Sequence, residues 1–402
     1  MRHRQPDPGR DAPVRPVRKD LRFAAGCLAA ACALGLSACT GATSAAGAAG
    51  ALVVAGLNDR NPYEIAQDGP FFFHGTGVGS DATAGPFDVL LNKGYATAQW
   101  EGFGRDIFNH PYGWTRTLRS LRYPNEAMQN SGGWGKTLRA NVVPGSEEGW
   151  RTWAWVPNYF GHVMEGGIAY RRLKEWAEYQ GIGHAGLFAG AVTWTAAFLN
   201  EAYEAPDPGP SHGGTTLDLL FFDLGGILLF DTDIASRFFS RNLRANIWPT
   251  QASLLINDGR LMNNGHHLVL KLPFLGITDR VSFFLKGGVG FAGGLAIHRP
   301  NGLDVNVGVG AESKIRFIDP ATRLETSEFG PAGGIWIDRR GVLLASLLVE
   351  PHTDRVVGLN VYPGVIPFMG DFGAWVNFDD EARVSFGLSH RQAMGLGLGV
   401  GF

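Results

Sequence analysis

After position 39 this 402-residue chain contains no cysteine. Its three cysteines, Cys27, Cys32 and Cys39, fall in the first tenth, so the remainder has no disulfide framework, no thiolate metal site and no cysteine nucleophile. Charge is also sparse: Asp, Glu, Lys and Arg make up 18% of residues, against about 25% in ordinary soluble domains. Neither sign dominates. The 35 Lys+Arg and 37 Asp+Glu give a net charge of −2, and seven of the basic residues precede Cys39. There is therefore no basic field for nucleic acid, and no nucleic-acid partner is expected. Specific catalytic signatures are missing too: no His-Glu-x-x-His and no strand–turn–helix nucleophile elbow. Gly287-Gly288-Val289-Gly290 lacks the Gly-Lys-Ser/Thr end of a phosphate loop and sits within strand periodicity. Asp231-Thr232-Asp233 has no Gly or Glu following at calcium-loop spacing. No cofactor and no resident metal is expected from such motifs.

What is present begins with an export signal. Arg15, Arg18, Lys19 and Arg22 precede an uncharged stretch over residues 23–37, about the length of a signal-peptide core and short of the ~20 residues that span a bilayer. The basic part is long and holds Pro6, Pro8, Pro13 and Pro16, which fits a start codon further on, at Val14 or Val17. The stretch ends Leu36-Ser37-Ala38-Cys39. This run resembles the lipobox of bacterial lipoproteins. The resemblance implies that Cys39 is diacylated, becomes the new N-terminus and makes membrane lipid the first partner. Thr40, in place of the Asp that signals inner-membrane retention in such lipoproteins, implies the outer membrane.

Residues 1–38 are thus expected to be signal and 39–57 a flexible Ala/Gly/Ser tether. Residues 58–148 carry many Gly, Pro and aromatics, among them Trp100, Phe103, Asn109-His110-Pro111-Tyr112-Gly113, Trp114 and Trp134; this region reads as loops and short elements packed by aromatics. Residues 149–245 read as an apolar three-helix unit. The first helix is expected from an Asn158 cap to about Gln180, where Gly181 stops it. The second runs through the uncharged stretch 182–199 and ends over Asn200-Glu201-Ala202-Tyr203-Glu204, and the third starts at Thr215 or Thr216 and passes Gly225-Gly226. Pro206-Asp207-Pro208-Gly209-Pro210 is a loop.

Residues 246–402 change to period two. Val305, Val307 and Val309 alternate with Asn306 and Gly308; Phe372, Ala374, Val376 and Phe378 alternate with Gly373, Trp375 and Asn377. With turn signals at 299–302, 319–320 and 379–380, the pattern predicts eight to ten antiparallel strands. The fold class is α+β: a helical unit followed by an antiparallel meander. One face of the strands is large and apolar, the other mostly tiny, with charge concentrated near the turns. Two readings follow: an outer-membrane-type barrel, or a compact sheet whose glycine face lies on the helices. The final Phe402 resembles the terminal signal of outer-membrane barrels.

Ionisable residues inside apolar helices are the best site candidates, because burying them is costly unless they are paired. His162 and Glu165 share a face of the first helix. Glu201 closes the second, and Asp218 and Asp223 lie in the third. His162, Glu201 and Asp218 are expected to converge as a hydrogen-bonded tie, a metal-binding set or an acid/base pair. The order of His162, Glu201 near Tyr203, Thr215-x-x-Asp218, then Asp223 with Gly225-Gly226, resembles YfiM-like bacterial lipoproteins and, more loosely, the VanZ-like family. Asp223 departs from the Asn more common there. No defined activity comes with the resemblance, so it implies no catalytic role. His266-His267 follow a turn signal and are expected to be solvated.

Three functions remain: an envelope-organising structural protein of the outer membrane, an envelope enzyme acting on lipid or glycan through His162 with Glu201 or Asp218, or a small channel or lipid-contact barrel. Glycine-dense inner faces weigh against a wide aqueous pore.

The lipobox generates the first test. Cys39→Ser should abolish acylation and leave the precursor uncleaved before position 39. Mass spectrometry of the mature N-terminus decides it, and an unmodified N-terminus elsewhere rules lipidation out.

Overall fold

The computed structural model describes residues 69–100, 106–107, 111–152, 154–204, 209–318, 325–352 and 355–402. The signal, the three cysteines, the tether, Phe103, Asn109, His110, residues 205–208 and the turn at 319–320 lie outside the described residues.

The chain is helical first and then almost wholly β. A short helix α1 (residues 86–93) is followed by α2 (Pro111–Arg122), α3 (Pro124–Asn130), α4 (Trp134–Val142) and α5 (Glu147–Thr152). The second half of the region expected to be irregular is therefore a run of short helices. Pro111 and Pro124 open two of them, as suits a residue with no N–H to leave unpaired at a helix start.

Three longer helices follow. Helix α6 (residues 155–179) starts three residues before the expected cap, so Asn158 lies inside it and its amide donates to Asn141 instead. It ends where Gly181 predicts. Gly181 takes φ +74°, and the Ile182 N–H reaches back to the Ala177 carbonyl at 2.9 Å, which closes the last turn. Helix α7 is Ala185–Tyr203 and α8 is Gly213–Asp231. Gly225-Gly226 do not break α8. By length and composition α8 could cross a membrane. Thr232 then caps a short helix α9 (residues 233–242), its hydroxyl accepting the Ala235 N–H.

Small residues let α6 and α8 cross closely. A Cβ on Gly167 would fall 2.3 Å from the Phe230 ring, and one on Gly226 would fall 2.7 Å from the Val163 carbonyl. Polar ties fix the rest. Glu175 accepts the backbone N–H groups of Phe71, Phe72 and Phe73 at 2.8–3.0 Å. Arg172 holds Asp88 and the Ser80 carbonyl, each at 2.6 Å.

Among the described residues thirteen strands form one sheet, more than the eight to ten expected. They are β1 (Asn246–Pro249), β2 (Ser253–Leu255), β3 (Leu261–Met262), β4 (His266–Leu272), β5 (Val281–Gly287), β6 (Gly290–His298), β7 (Leu303–Ile318), β8 (Glu325–Arg339), β9 (Val342–His352), β10 (Arg355–Val361), β11 (Phe372–Phe378), β12 (Val384–His390) and β13 (Gly397–Gly401). The surplus comes from short strands before Leu272, where no alternation is long enough to read. From β4 to β13 each strand pairs antiparallel with the next; β1 joins β4, and β2 and β3 follow β13. Among the described residues only β13–β2 is parallel.

Burial along the strands is inverted relative to a soluble sheet. Val309 is 49% exposed and Phe291 63%, and their apolar neighbours on that face are open as well. On the opposite face Asn306, Glu312, Asp338, Lys271 and Lys286 are buried. The alternation expected at Val305–Val309 and Phe372–Phe378 is present. Charge gathers near the strand ends, as expected: Lys271, Lys286, Asp304 and Asp338 each lie one residue from the end of their strand, while Glu312 sits well inside β7. What the alternation does not show is that these ions lie on the buried face. That face is layered. Lys271 Nζ binds Asp304 at 2.7 Å and Asp338 at 2.5 Å. Trp248, Phe284 and Trp336 stack beside it, with ring centroids 5.8 and 5.3 Å apart. Lys286 then meets Glu312 at 2.8 Å, Glu312 lies 3.3 Å from His352, and Arg355 binds Glu350.

The ring contacts require curvature. Strands sit about 4.8 Å apart, so β5 and β8 would be roughly 14 Å apart in a flat sheet. Phe284 on β5 and Trp336 on β8 nonetheless touch. The helical unit covers the other face at β1 and β4, where Ile247, Leu268 and Leu270 pack on Ile168, Leu173 and Phe230. Gly287 admits Phe160 there: a Cβ would lie 1.9 Å from its ring.

The buried triad yields a stability test. Lys271→Ala strands two buried carboxylates and should cost about 3–5 kcal/mol. Lys174→Ala, whose partner Asp231 is half exposed, should cost less than about 1 kcal/mol. Denaturant midpoints under matched conditions compare them, and equal losses would contradict the ranking.

Candidate functional site

The three helices bring together the residues that the sequence singles out. His162, Glu201 and Asp218 each offer a ligand atom, all within 4.8 Å of one another. They come from α6, the end of α7 and the start of α8. Glu201 is buried, while His162 and Asp218 are partly exposed.

Local winding places them. Both α6 and α8 widen to π-helical turns, over Asn158–Glu165 and Asp218–Asp223. The same widening occurs over Val89–Lys93 and Phe238–Asn242, so here it places side chains rather than marking a site by itself. The turn in α6 holds His162, and the turn in α8 holds both aspartates. The glycine-mediated crossing of α6 and α8 sets these two turns face to face.

Asp223 organises the centre. Its Oδ2 accepts from His162 Nδ1 at 2.9 Å, and its Oδ1 lies 3.7 Å from Lys93 Nζ, brought in from α1. Asp223 is almost wholly buried, so its charge acts at short range and with little screening. Burial disfavours the charged form of His162, but Asp223 and Asp218 outweigh it, and the imidazole is pushed up to about 10. Burial also drives Glu201 well above the usual carboxylate range, and the charges of Asp218 and Glu204 push the same way, against His162 and a hydrogen bond from Thr215. Two carboxylates facing one another cannot both ionise cheaply. The arrangement can hold a proton between them, or a cation.

The other polar residues of these helices are occupied elsewhere. Glu165 turns to His266 Nδ1 at 2.8 Å and ties α6 to β4. Tyr170 donates to Asp231 at 2.7 Å, and Arg171 binds Glu175 and Asp233. The expectation of a solvated His266-His267 pair is overturned. Both open β4 and are buried, because the strand starts directly after Gly265, and alternation sends His266 to the helices and His267 to the charged face.

Gly287-Gly288-Val289-Gly290 is the β5–β6 hairpin turn. One string escaped the sequence reading: Gly209-Pro210-Ser211-His212-Gly213 has Gly-x-Ser-x-Gly spacing. Its serine is no exposed nucleophile. Ser211 is fully buried, bonds to Asn130 and follows a loop rather than a strand. Lys93 was also missed, since nothing in its own segment marks it as a partner of α8. So was the buried set Glu312, Glu350 and His352, whose ligand atoms likewise lie within 4.8 Å. Their placement on the small-residue side of the alternation was the available signal. Lys286 and Arg355 already engage the two glutamates.

No family model matches the chain, and no curated protein or solved structure matches it either.

The His162 environment gives a pH prediction. A folded-state value above the unfolded one stabilises fully below about pH 6.5, and that gain is lost as pH rises through about 10. In chelator, unfolding stability should therefore fall across that window. His162→Asn should flatten the fall, and an unchanged slope in the variant would remove His162 as its source.

Proposed function

We propose that the strands close into a lipid-embedded barrel, and that the protein is a structural, envelope-organising component of the outer membrane, tethered through acylated Cys39. The inverted burial of the strands carries this reading. Exposed Phe, Leu and Val on the outside and paired charges on the inside is the arrangement that a bilayer selects and that water does not.

Closure draws support from register. The pairing Asn246↔Val269 to Pro249↔His266 continues unshifted as Ser253↔Met262 and Leu254↔Leu261. The Thr250 N–H bonds the Gly265 carbonyl between them at 2.8 Å. On this reading β1 and β2 are two halves of one stave, and β3 and β4 two halves of the next. The ring then has eleven staves, built from the thirteen strands. An odd number of staves can close only through one parallel pair, and β13–β2 supplies it through Gly397↔Ser253 to Gly399↔Leu255. Polar bonds also cross the buried face: Asn263 donates to Asn360 at 2.8 Å, and Gln251 to the Ala374 carbonyl at 3.2 Å.

The interior argues for a filled body over a pore. Trp248, Phe284, Trp336 and the ion pairs occupy it, and solvent does not reach them. The helical unit seals the outer face of β1 and β4, with the His162 cluster tying its helices together. Leu228 on α8 is 71% exposed, which extends the apolar surface beyond the strands.

Membrane assembly tests the reading. Val309→Arg should impair it by about 2–4 kcal/mol if the residue sits near the bilayer midplane, and deletion of Phe402 should impair it too. The readouts are heat-modifiable migration and protease resistance of the membrane fraction. A protease-sensitive protein released from membranes by Cys39→Ser alone would defeat the proposal.

A further inference from the structure

We propose that His162, Glu201 and Asp218 form a binding site for one divalent transition-metal ion of the Zn2+ or Mn2+ class, joining α6, α7 and α8. Three independent helices deliver one donor each to a common point, with ligand atoms within 4.8 Å of one another. The orientation of His162 is the second observation. Its Nδ1 is committed to Asp223 at 2.9 Å, which leaves Nε2 as the nitrogen for a ligand. Metal-bound histidines ordinarily donate their other ring N–H to a carboxylate in this way, which fixes tautomer and ring plane. Asp223 is thus a positioning residue.

The donor set selects the ion. One imidazole and two carboxylates suit Zn2+ or Mn2+; the nitrogen disfavours Ca2+ and Mg2+, and the lack of thiolate disfavours soft ions. Three protein ligands leave a fourth position open. His162 and Asp218 are partly exposed, so an ion has a route in from solvent. The buried Glu312–Glu350–His352 set makes the contrast. Lys286 and Arg355 already bind its carboxylates, so that set is balanced by cations of its own. Binding transfers no electrons: the Nε2 proton, and any proton held between Glu201 and Asp218, leave to solvent as the metal–ligand bonds form, so affinity should rise with pH.

The test uses the full-length protein in detergent, stripped with chelator and re-equilibrated with Zn2+, Mn2+ or Co2+. One equivalent of metal per chain by plasma mass spectrometry, a raised melting temperature and a d–d absorption band with Co2+ are expected. Glu201→Gln and Asp218→Asn should each weaken binding at least about tenfold, and Asp223→Asn should weaken it roughly 10–100-fold. Absence of the Co2+ band in the unmutated protein overturns the proposal whether or not any variant folds. Undiminished retention by both folded ligand variants overturns it too, by placing the metal elsewhere. Membrane assembly is scored separately, so loss of the metal site leaves the barrel reading standing.

Discussion

Desolvated charge is the constraint on which this architecture depends. Lys271, Lys286, Glu312, Asp338, Glu350 and Arg355 all sit on one face of the sheet and all are buried. None could remain there alone, since breaking a buried pair leaves an uncompensated ion. Each partner lies on another strand: Lys271 on β4 needs Asp304 on β7 and Asp338 on β8. Those bonds form only if the sheet curls tightly and in one register. The aromatic layer between the two ion clusters works with them. Lys271 lies over Trp248 and Lys286 over Trp336, each under 6 Å from the ring centroid. The rings bury area while offering a negative face to the ammonium groups above and below.

The helical unit answers the same constraint differently. At the crossing of α6 and α8 two groups converge on one buried carboxylate, Asp223, which serves an imidazole on α6 and a lysine on α1. That convergence depends on residues with no side chain. Gly167 and Gly226 let two helices approach until their wide turns touch, and Gly287 lets the unit settle on the sheet. Polar chemistry and close packing are therefore one problem here. A methyl group at Gly226 would disturb the distance between His162 and Asp223 as surely as a change of either partner.

Much of this could be read from sequence, and the limits have physical causes. Long alternation placed Val305–Val309 and Phe372–Phe378 correctly because a strand exposes period two directly. The convergence of His162, Glu201 and Asp218 followed from the cost of isolated charge in apolar helices. Alternation says that two faces differ but not which one water sees, so the charged face was read as small; its ions lie near the strand ends, as read, but their burial was not legible. Strands of two to four residues, such as β1–β3, carry too little pattern to detect. Lys93 and Asp223 are far apart in sequence, and only tertiary packing makes them neighbours. His266 and His267 were misjudged because a turn signal does not say how soon the next strand begins.

The parallel pairing of β13 with β2 has a consequence for how the molecule comes to exist. Leu254 meets Leu398, so a strand near the start of the β region stays unpaired along that edge until β13, far along the chain, arrives. Contacts between such distant segments are slow to form, because a long loop must be ordered before they return any stabilisation. Until then β2 is an exposed edge able to recruit another chain. The order of synthesis thus makes β13 the late partner of β2, and a chain interrupted before Gly397 would carry an open β2 edge as an aggregation hazard.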